Sequence, residues 1–193
     1  MSPQRIVLAC ALLAVTALVV VGLLELGGAS GTGPSRMTLA QMRARLAGSP
    51  APLASLHDQA AEVLPGGLPA LRARLASLRG TPVVLNKWAS WCEPCRSEFG
   101  VFQRVSVKRG RRVAFIGIDS ADSAENARAF LRSFPVSYPS YFDASGQAGL
   151  KLTDSSFTPV TVFLNRSGGE YIHQGPYLQE AKLERDVQRY ALG

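Results

Sequence analysis

Three cysteines and two histidines are the residues of this chain best suited to redox or metal chemistry. Cys92 and Cys95 form a single C-x-x-C, whereas Cys10 sits in an apolar run and His57 and His173 are isolated. Structural zinc usually takes four ligands, often from two such pairs, so this set does not make an ordinary metal site and no metal or other cofactor is expected. A disulfide-stapled scaffold is also excluded, because the C-x-x-C bridge would enclose only two residues. Thiol–disulfide exchange remains. A cysteine at a helix start faces free N–H groups and the positive end of the macrodipole, which favour its thiolate. Cys92 is therefore expected to attack a substrate disulfide. Cys95, one turn inside and more buried, is expected to resolve the mixed disulfide.

The direction of exchange depends on which redox form the surroundings stabilise. Glu93 and Glu98 oppose a thiolate and no histidine lies between the cysteines, whereas Arg96 and Lys87 pull the other way. That balance favours a disulfide reductase over a disulfide-forming oxidase. A third reading is a binding module whose bridge is only structural. Against it, a two-residue loop contributes little stability, and Trp88 and Trp91 flank the thiols. A peroxidase would want a hydroxyl residue three before Cys92, where Ala89 stands.

These residues need a strand and a helix to position them. Pro82-Val83-Val84-Leu85-Asn86 is a near-continuous apolar run, as in a strand buried on both faces. A helix is expected from the C-x-x-C to about Val107, with Pro94 in its first turn, where no backbone N–H is needed. Arg112–Asp119 reads as the next strand, and Ser123 caps a helix to about Ser133, with Pro135 beyond it. Val160–Asn165 and Glu170–His173 read as a hairpin about the turn Arg166-Ser167-Gly168-Gly169, and Leu178–Tyr190 as a closing amphipathic helix. The resulting order, β-α-β-α-β-β-α, predicts an α/β fold with a mixed sheet. Upstream, Leu39, Met42 and Leu46 recur at helical spacing, and Leu68, Leu71, Leu75 and Leu78 form the stripe of a short helix closed by Gly80. Ala51–Gly67 shows no clear period and reads as irregular, with room for short strands.

Ile6–Leu24 is an uncharged run of 19 residues, preceded by Arg5 and followed by Glu25. At about 1.5 Å per residue it is just long enough to span a hydrocarbon core of about 30 Å. It is read as a transmembrane anchor with its N-terminus in the cytoplasm and the rest of the chain outside. Two alternatives stay open: cleavage near Gly27-Gly28-Ala29, releasing a secreted product, and lipidation at Cys10 after Val7-Leu8-Ala9. Gly27–Pro34 has linker composition. The expected organisation is an anchor over 1–26, a linker with a short helix over 27–50, and an α/β domain over 51–193. The chain is 47% hydrophobic, which excludes bulk disorder. The net charge of +7 is dense at Arg104, Lys108, Arg109, Arg111 and Arg112. No aromatic-interleaved stripe accompanies it, so no nucleic-acid partner is expected and these residues read as a solvated helix end and turn.

Lys87-Trp88-Ala89-Ser90-Trp91-Cys92-Glu93-Pro94-Cys95-Arg96-Ser97-Glu98-Phe99 resembles the active-site segment of the TlpA/ResA/CcmG-type extracytoplasmic thioredoxin-like proteins. Leu78-Arg79-Gly80 and Phe157-Thr158-Pro159 are similar to the same family, and the likeness runs from about Ala51 to Leu192, weakest before Leu68. The resemblance implies a thioredoxin-like fold on a membrane anchor. It implies reduction of disulfide-containing proteins, apocytochrome c among them, with electrons from a membrane thiol donor. It also implies that Pro159 is cis and sits against the C-x-x-C, with Thr158 presenting backbone to an extended substrate; the plain alternative is a trans proline at a strand start. A glutamate at the place of Glu98 is associated in the family with proton handling; the alternative is a first-turn acid complementing the dipole. Asn86 takes the place of a buried acid and is expected to hydrogen-bond. Two residues depart from the pattern: Lys87 replaces an aromatic, and Gly100 replaces a kinking proline. A buried lysine is costly unless paired, which leaves a Lys87–Glu98 contact open.

Overall fold

The computed structural model describes residues Arg36–Gly193. The expected anchor at Ile6–Leu24, the linker segment Gly27–Pro34 and Cys10 lie outside the described residues. Among the described residues no helix is long and apolar enough to cross a membrane.

The elements are α1 (Leu39–Leu46), α2 (Ala51–Asp58), β1 (Val63–Leu64), α3 (Gly67–Ser77), β2 (Val83–Trp88), α4 (Glu93–Arg109), β3 (Ala114–Ser120), α5 (Ala124–Ser133), β4 (Ser140–Asp143), α6 (Gln147–Thr153), β5 (Val160–Leu164), β6 (Glu170–Gln174) and α7 (Glu180–Asp186), followed by a π-helical turn, Val187–Ala191. One mixed sheet runs in the order β1-β4-β3-β2-β5-β6. Its first four strands are parallel, β5 is antiparallel to β2, and β6 returns antiparallel to β5. This is the α/β layering with a mixed sheet that the element order predicts, and the thioredoxin-like arrangement that the resemblance implies.

All six residues of β2 are buried, as the apolar run requires. Side chains alternate across the sheet. Val84 and Trp88 pack with Phe99 and Phe102 of α4 and Phe130 of α5 on one face. Leu85 packs with Leu53 and Leu56 of α2 and Leu71 of α3 on the other. On the Trp88 face, β3 has no room for a side chain at Gly117. A Cβ there would fall on Ser140 Oγ and stand 2.9 Å from Trp88 Nε1.

Three stretches differ from expectation. Ala51–Gly67 holds the short strand it had room for, β1, but it is not otherwise irregular, since α2 also lies within it. Two turns with two Leu anchors are too short to show a period, and Pro52 reads as a breaker although it sits in the permitted first turn. The interval between α5 and β5, given no element from sequence, holds β4 and α6. The strand is only four residues, Ser-Tyr-Phe-Asp, and it is the neighbouring strand that buries its polar ends. The closing helix begins at Glu180 and ends in the π-helical turn.

Candidate active site

β2 carries the chain to Trp88, a three-residue loop turns it, and Cys92 caps α4, its sulfur accepting the Cys95 N–H at 3.2 Å. Pro94 lies in the first turn. Cys92 and Cys95 are joined as a disulfide. In this form both are nearly closed off, Cys92 at 4% exposure and Cys95 at 0%, so the expected difference in access is small although its order holds. The Thr158–Pro159 bond is cis, and the Thr158 carbonyl oxygen lies 3.7 Å from Cys92 Sγ. Val160, next along, pairs with Lys87. The start of β5 and the end of β2 therefore meet at the sulfurs.

Glu98, one turn beyond Cys95, is fully buried. Oε1 accepts from Asn86 Nδ2 at 2.7 Å and Oε2 from the backbone N–H of Tyr177 at 3.0 Å. Burial pushes this carboxyl up to about 8, while the Tyr177 and Asn86 hydrogen bonds to its charged form pull the other way. The Lys87–Glu98 contact is not formed. Adjacent strand residues face opposite ways, so Asn86 points to Glu98 and Lys87 to the other side, where its Nζ donates to Ser155 O at 2.6 Å. Desolvation holds Lys87 below the usual lysine value, with Asp143 opposing.

The tryptophans divide. Trp88 lies in the same buried cluster as Cys92 and Cys95. It is a core residue, its Nε1 donating to Ser140 Oγ at 3.0 Å and its ring against Phe99 and Phe130. Trp91 is 64% exposed and donates to Ala121 O at 3.0 Å. Phe157, beside Thr158, is 74% exposed, and Leu178, beside Tyr177, is 64% exposed. Glu93, at the head of α4, is exposed and paired with Arg96 at 3.3 Å.

Sequence reasoning missed a second acid. Asp119, opposite Trp88 in register, is fully buried and neither carboxylate oxygen meets a donor. Its neighbour Asp122 accepts the Ser90 N–H at 2.6 Å and the Ser123 N–H at 2.7 Å, which ties down the loop leading to Cys92. Burial first, then the charge and hydrogen bond of Asp122, then Asp143, push Asp119 up to about 8. Burial also pulls Asp122 up, but the hydrogen bonds from Ser90, Ser123 and Asp119 outweigh it and hold Asp122 low. Two carboxylates in contact can share one proton, and the opposite directions of their shifts favour Asp119 as its holder. The available signal was an Asp closing a strand parallel to β2. Tyr177 was missed because its backbone, not its side chain, makes the contact. Among the described residues no group of three or more His, Cys, Asp or Glu converges as a metal ligand set.

Comparison with known proteins places this geometry. The AhpC/TSA family model matches residues 48–165. The chain is 31% identical over 98 residues to the thiol-disulfide oxidoreductase ResA of Bacillus subtilis (strain 168), covering 50% of this chain and 54% of that protein. It is 31% identical over 118 residues to the thiol:disulfide interchange protein DsbE of Escherichia coli (strain K12), covering 58% of this chain and 62% of that protein. The matches thus span between half and two thirds of these relatives. The crystal structure of a thiol:disulfide interchange protein of the thioredoxin family from Chlorobium tepidum TLS superposes with a TM-score of 0.55 at 26% identity, covering 61% of this chain and 84% of that one.

Proposed function

This chain belongs to the AhpC/TSA family, and from that premise we propose that it is an extracytoplasmic thiol–disulfide oxidoreductase that reduces protein disulfides through Cys92 and Cys95. The observation that carries the reading is the sulfur of Cys92 at the cap of α4, bonded to Cys95, accepting the Cys95 N–H and facing the Thr158 carbonyl. Reduced Cys92, as thiolate, attacks one sulfur of a substrate disulfide. A Cys92–substrate disulfide forms, and the other substrate sulfur leaves as a thiolate that takes up a proton. Cys95 then loses its proton and attacks Cys92 Sγ. The Cys92–Cys95 disulfide re-forms and the second substrate sulfur leaves as a thiol. Glu98 stands one turn from Cys95 with its carboxyl poised near neutrality, which suits it to take and return the Cys95 proton. Trp91, Thr158 and Pro159 form the surface that receives the substrate backbone. Asn86 sets the proton affinity of Glu98, Trp88 packs the floor, and Glu93 and Pro94 shape the first turn.

The substrate is a disulfide-containing protein. The resemblance puts apocytochrome c first, with a membrane thiol donor renewing the dithiol. Ile6–Leu24 is the anchor, and the domain lies on the outer side of the membrane; protease added to intact cells should remove the domain, whereas full-length protein in the soluble cytoplasmic fraction would end that reading. The redox assignment is tested by the potential of the Cys92–Cys95 couple. A reductase should sit nearer thioredoxin's value of about −270 mV than the roughly −120 mV of a strong periplasmic oxidant. A value at the oxidant end would reverse the direction.

A further inference from the structure

The charges of this domain are sorted by the two ends of its sheet. β2 and β3 run toward the C-x-x-C end and β5 runs away from it, so every inter-element loop can be assigned to one end. The loops at the thiol end are Pro65–Gly66, Ala89–Cys92, Ala121–Ser123, Ala144–Gly146, Asp154–Pro159 and Gly175–Gln179, and none carries a lysine or arginine. At the opposite end, Ala47–Pro50, Leu78–Pro82, Gly110–Val113, Phe134–Pro139 and Asn165–Gly169 carry no aspartate or glutamate. These loops bring together Arg79, Arg111, Arg112 and Arg166, all exposed. Arg111 reaches across to the Gly48 carbonyl at 3.2 Å, so the loops are neighbours in space. Two adjoining hollows share Gly80, Thr81 and Arg166; one adds Arg79 and Ser167, the other Arg111 and Arg112. Among the described residues none of the four guanidinium groups has a carboxylate within ion-pair distance, although Arg96, Arg104 and Arg109 elsewhere do. The carboxylate of Glu62, also in a loop at this end, precedes β1 at the far edge of the sheet.

We propose that this arginine pole is a docking surface for the anionic headgroups of a phospholipid bilayer, and that it holds the domain with Cys92 turned away from the membrane. Guanidinium groups pair bidentately with phosphate and shed their hydration readily. Four of them spread over three loops, beside open hollows, match a surface of many headgroups better than a single enclosed ion. A single-stranded nucleic acid would want aromatic side chains for bases to stack on, and the three loops that carry the four arginines contain none. The attraction acts only within a Debye length, so something must keep the domain near the bilayer. The inference here rests on the anchor reading of Ile6–Leu24. The tether supplies proximity and the pole supplies orientation, with acidic loops facing outward.

The test uses the full chain in its oxidised form, with Cys10→Ser and Ser167→Cys, a fluorescent maleimide on the new cysteine, and a nitroxide quencher on lipid headgroups. Flotation with neutral phosphatidylcholine vesicles in high salt reads the anchor alone. Fluorescence quenching reads the pole. In vesicles containing phosphatidylglycerol at low salt, quenching should be several-fold greater than in neutral vesicles. It should vanish at about 1 M salt, where the Debye length is about 3 Å. R79Q/R111Q/R112Q/R166Q should quench as weakly as the protein in neutral vesicles, and the single variant R166Q should fall between, with activity on a soluble disulfide substrate unchanged. Equal quenching in neutral and anionic vesicles, or a quadruple variant indistinguishable from the parent, would overturn the proposal. So would loss of quenching on adding inorganic phosphate at constant ionic strength, which would mark a free-anion site. Failure to float in neutral vesicles would sink the anchor reading by itself and leave the arginine dependence to be read separately.

Discussion

At the scale of single residues, the site separates attack from resolution by position on α4. Cys92 caps the helix and Cys95 lies inside its first turn. Cys95→Ser should therefore accumulate covalent complexes with substrate that dithiothreitol releases, whereas Cys92→Ser should form none; the opposite pattern on non-reducing gels would reverse the roles. Glu98 gives a prediction with a definite sign. Its carboxyl is pushed up to about 8, so the exchange rate should show an inflection there, and Glu98→Gln should remove it and slow resolution by about a hundredfold, the lower end of general acid–base contributions. Asn86 donates to the ionised carboxylate, so Asn86→Ala should move the inflection upward. A downward move would show that Asn86 does not stabilise the charge. The cysteines were legible as types at a spacing, and Glu98, Asn86 and the Thr158–Pro159 pair through the family resemblance of the segments that hold them. Asp119 was not, because what distinguishes it is burial without a donor, which appears only once β3 lies beside β2.

At the scale of elements, the site depends on how closely β2, β3 and β4 approach under the loop of Cys92. Gly117 has no room for a side chain between Ser140 and Trp88. Gly117→Ala should destabilise the domain by about 1–3 kcal/mol, in line with overpacking a tight core. Thermal unfolding would record it; an unchanged midpoint would mean that β4 yields without cost. Long, strongly patterned elements were readable from sequence: β2, α4 and α5 appear within a few residues of their expected bounds. Elements whose burial is conferred by neighbours were not. β4 is a four-residue polar strand between β1 and β3, and α6 is seven residues that close over Lys87 and Ser120. Lys87, read as an anomaly, is explained by that missed helix and the loop after it, since Ser155 supplies its acceptor.

At the scale of the whole molecule, two buried acids make folding depend on pH in an uncommon direction. In the native state Glu98 and Asp119 hold protons up to about 8. Unfolded, they would release them near ordinary carboxylate values. Between those limits these two acids bind more protons in the native state than in the unfolded one, so the stability they contribute falls as pH rises. It is full below the ordinary carboxylate range and lost through about pH 8. Urea unfolding of the oxidised protein should therefore show a higher midpoint at pH 5 than at pH 8.5. Asp119→Asn should flatten that difference; a difference left unchanged in that variant would show that Asp119 is not neutral in the fold.

The contact between Glu98 and the N–H of Tyr177 has a practical consequence. A backbone amide cannot be deleted by exchanging its side chain, so natural variation at this position leaves the contact standing unless proline arrives. The same amide is a built-in spectroscopic gauge. Its proton and nitrogen resonances should track the ionisation of Glu98 as solution pH is varied, in a protein of unaltered sequence enriched in nitrogen-15. One peak in a two-dimensional spectrum would then follow the charge state beside the sulfurs through each half of the catalytic cycle.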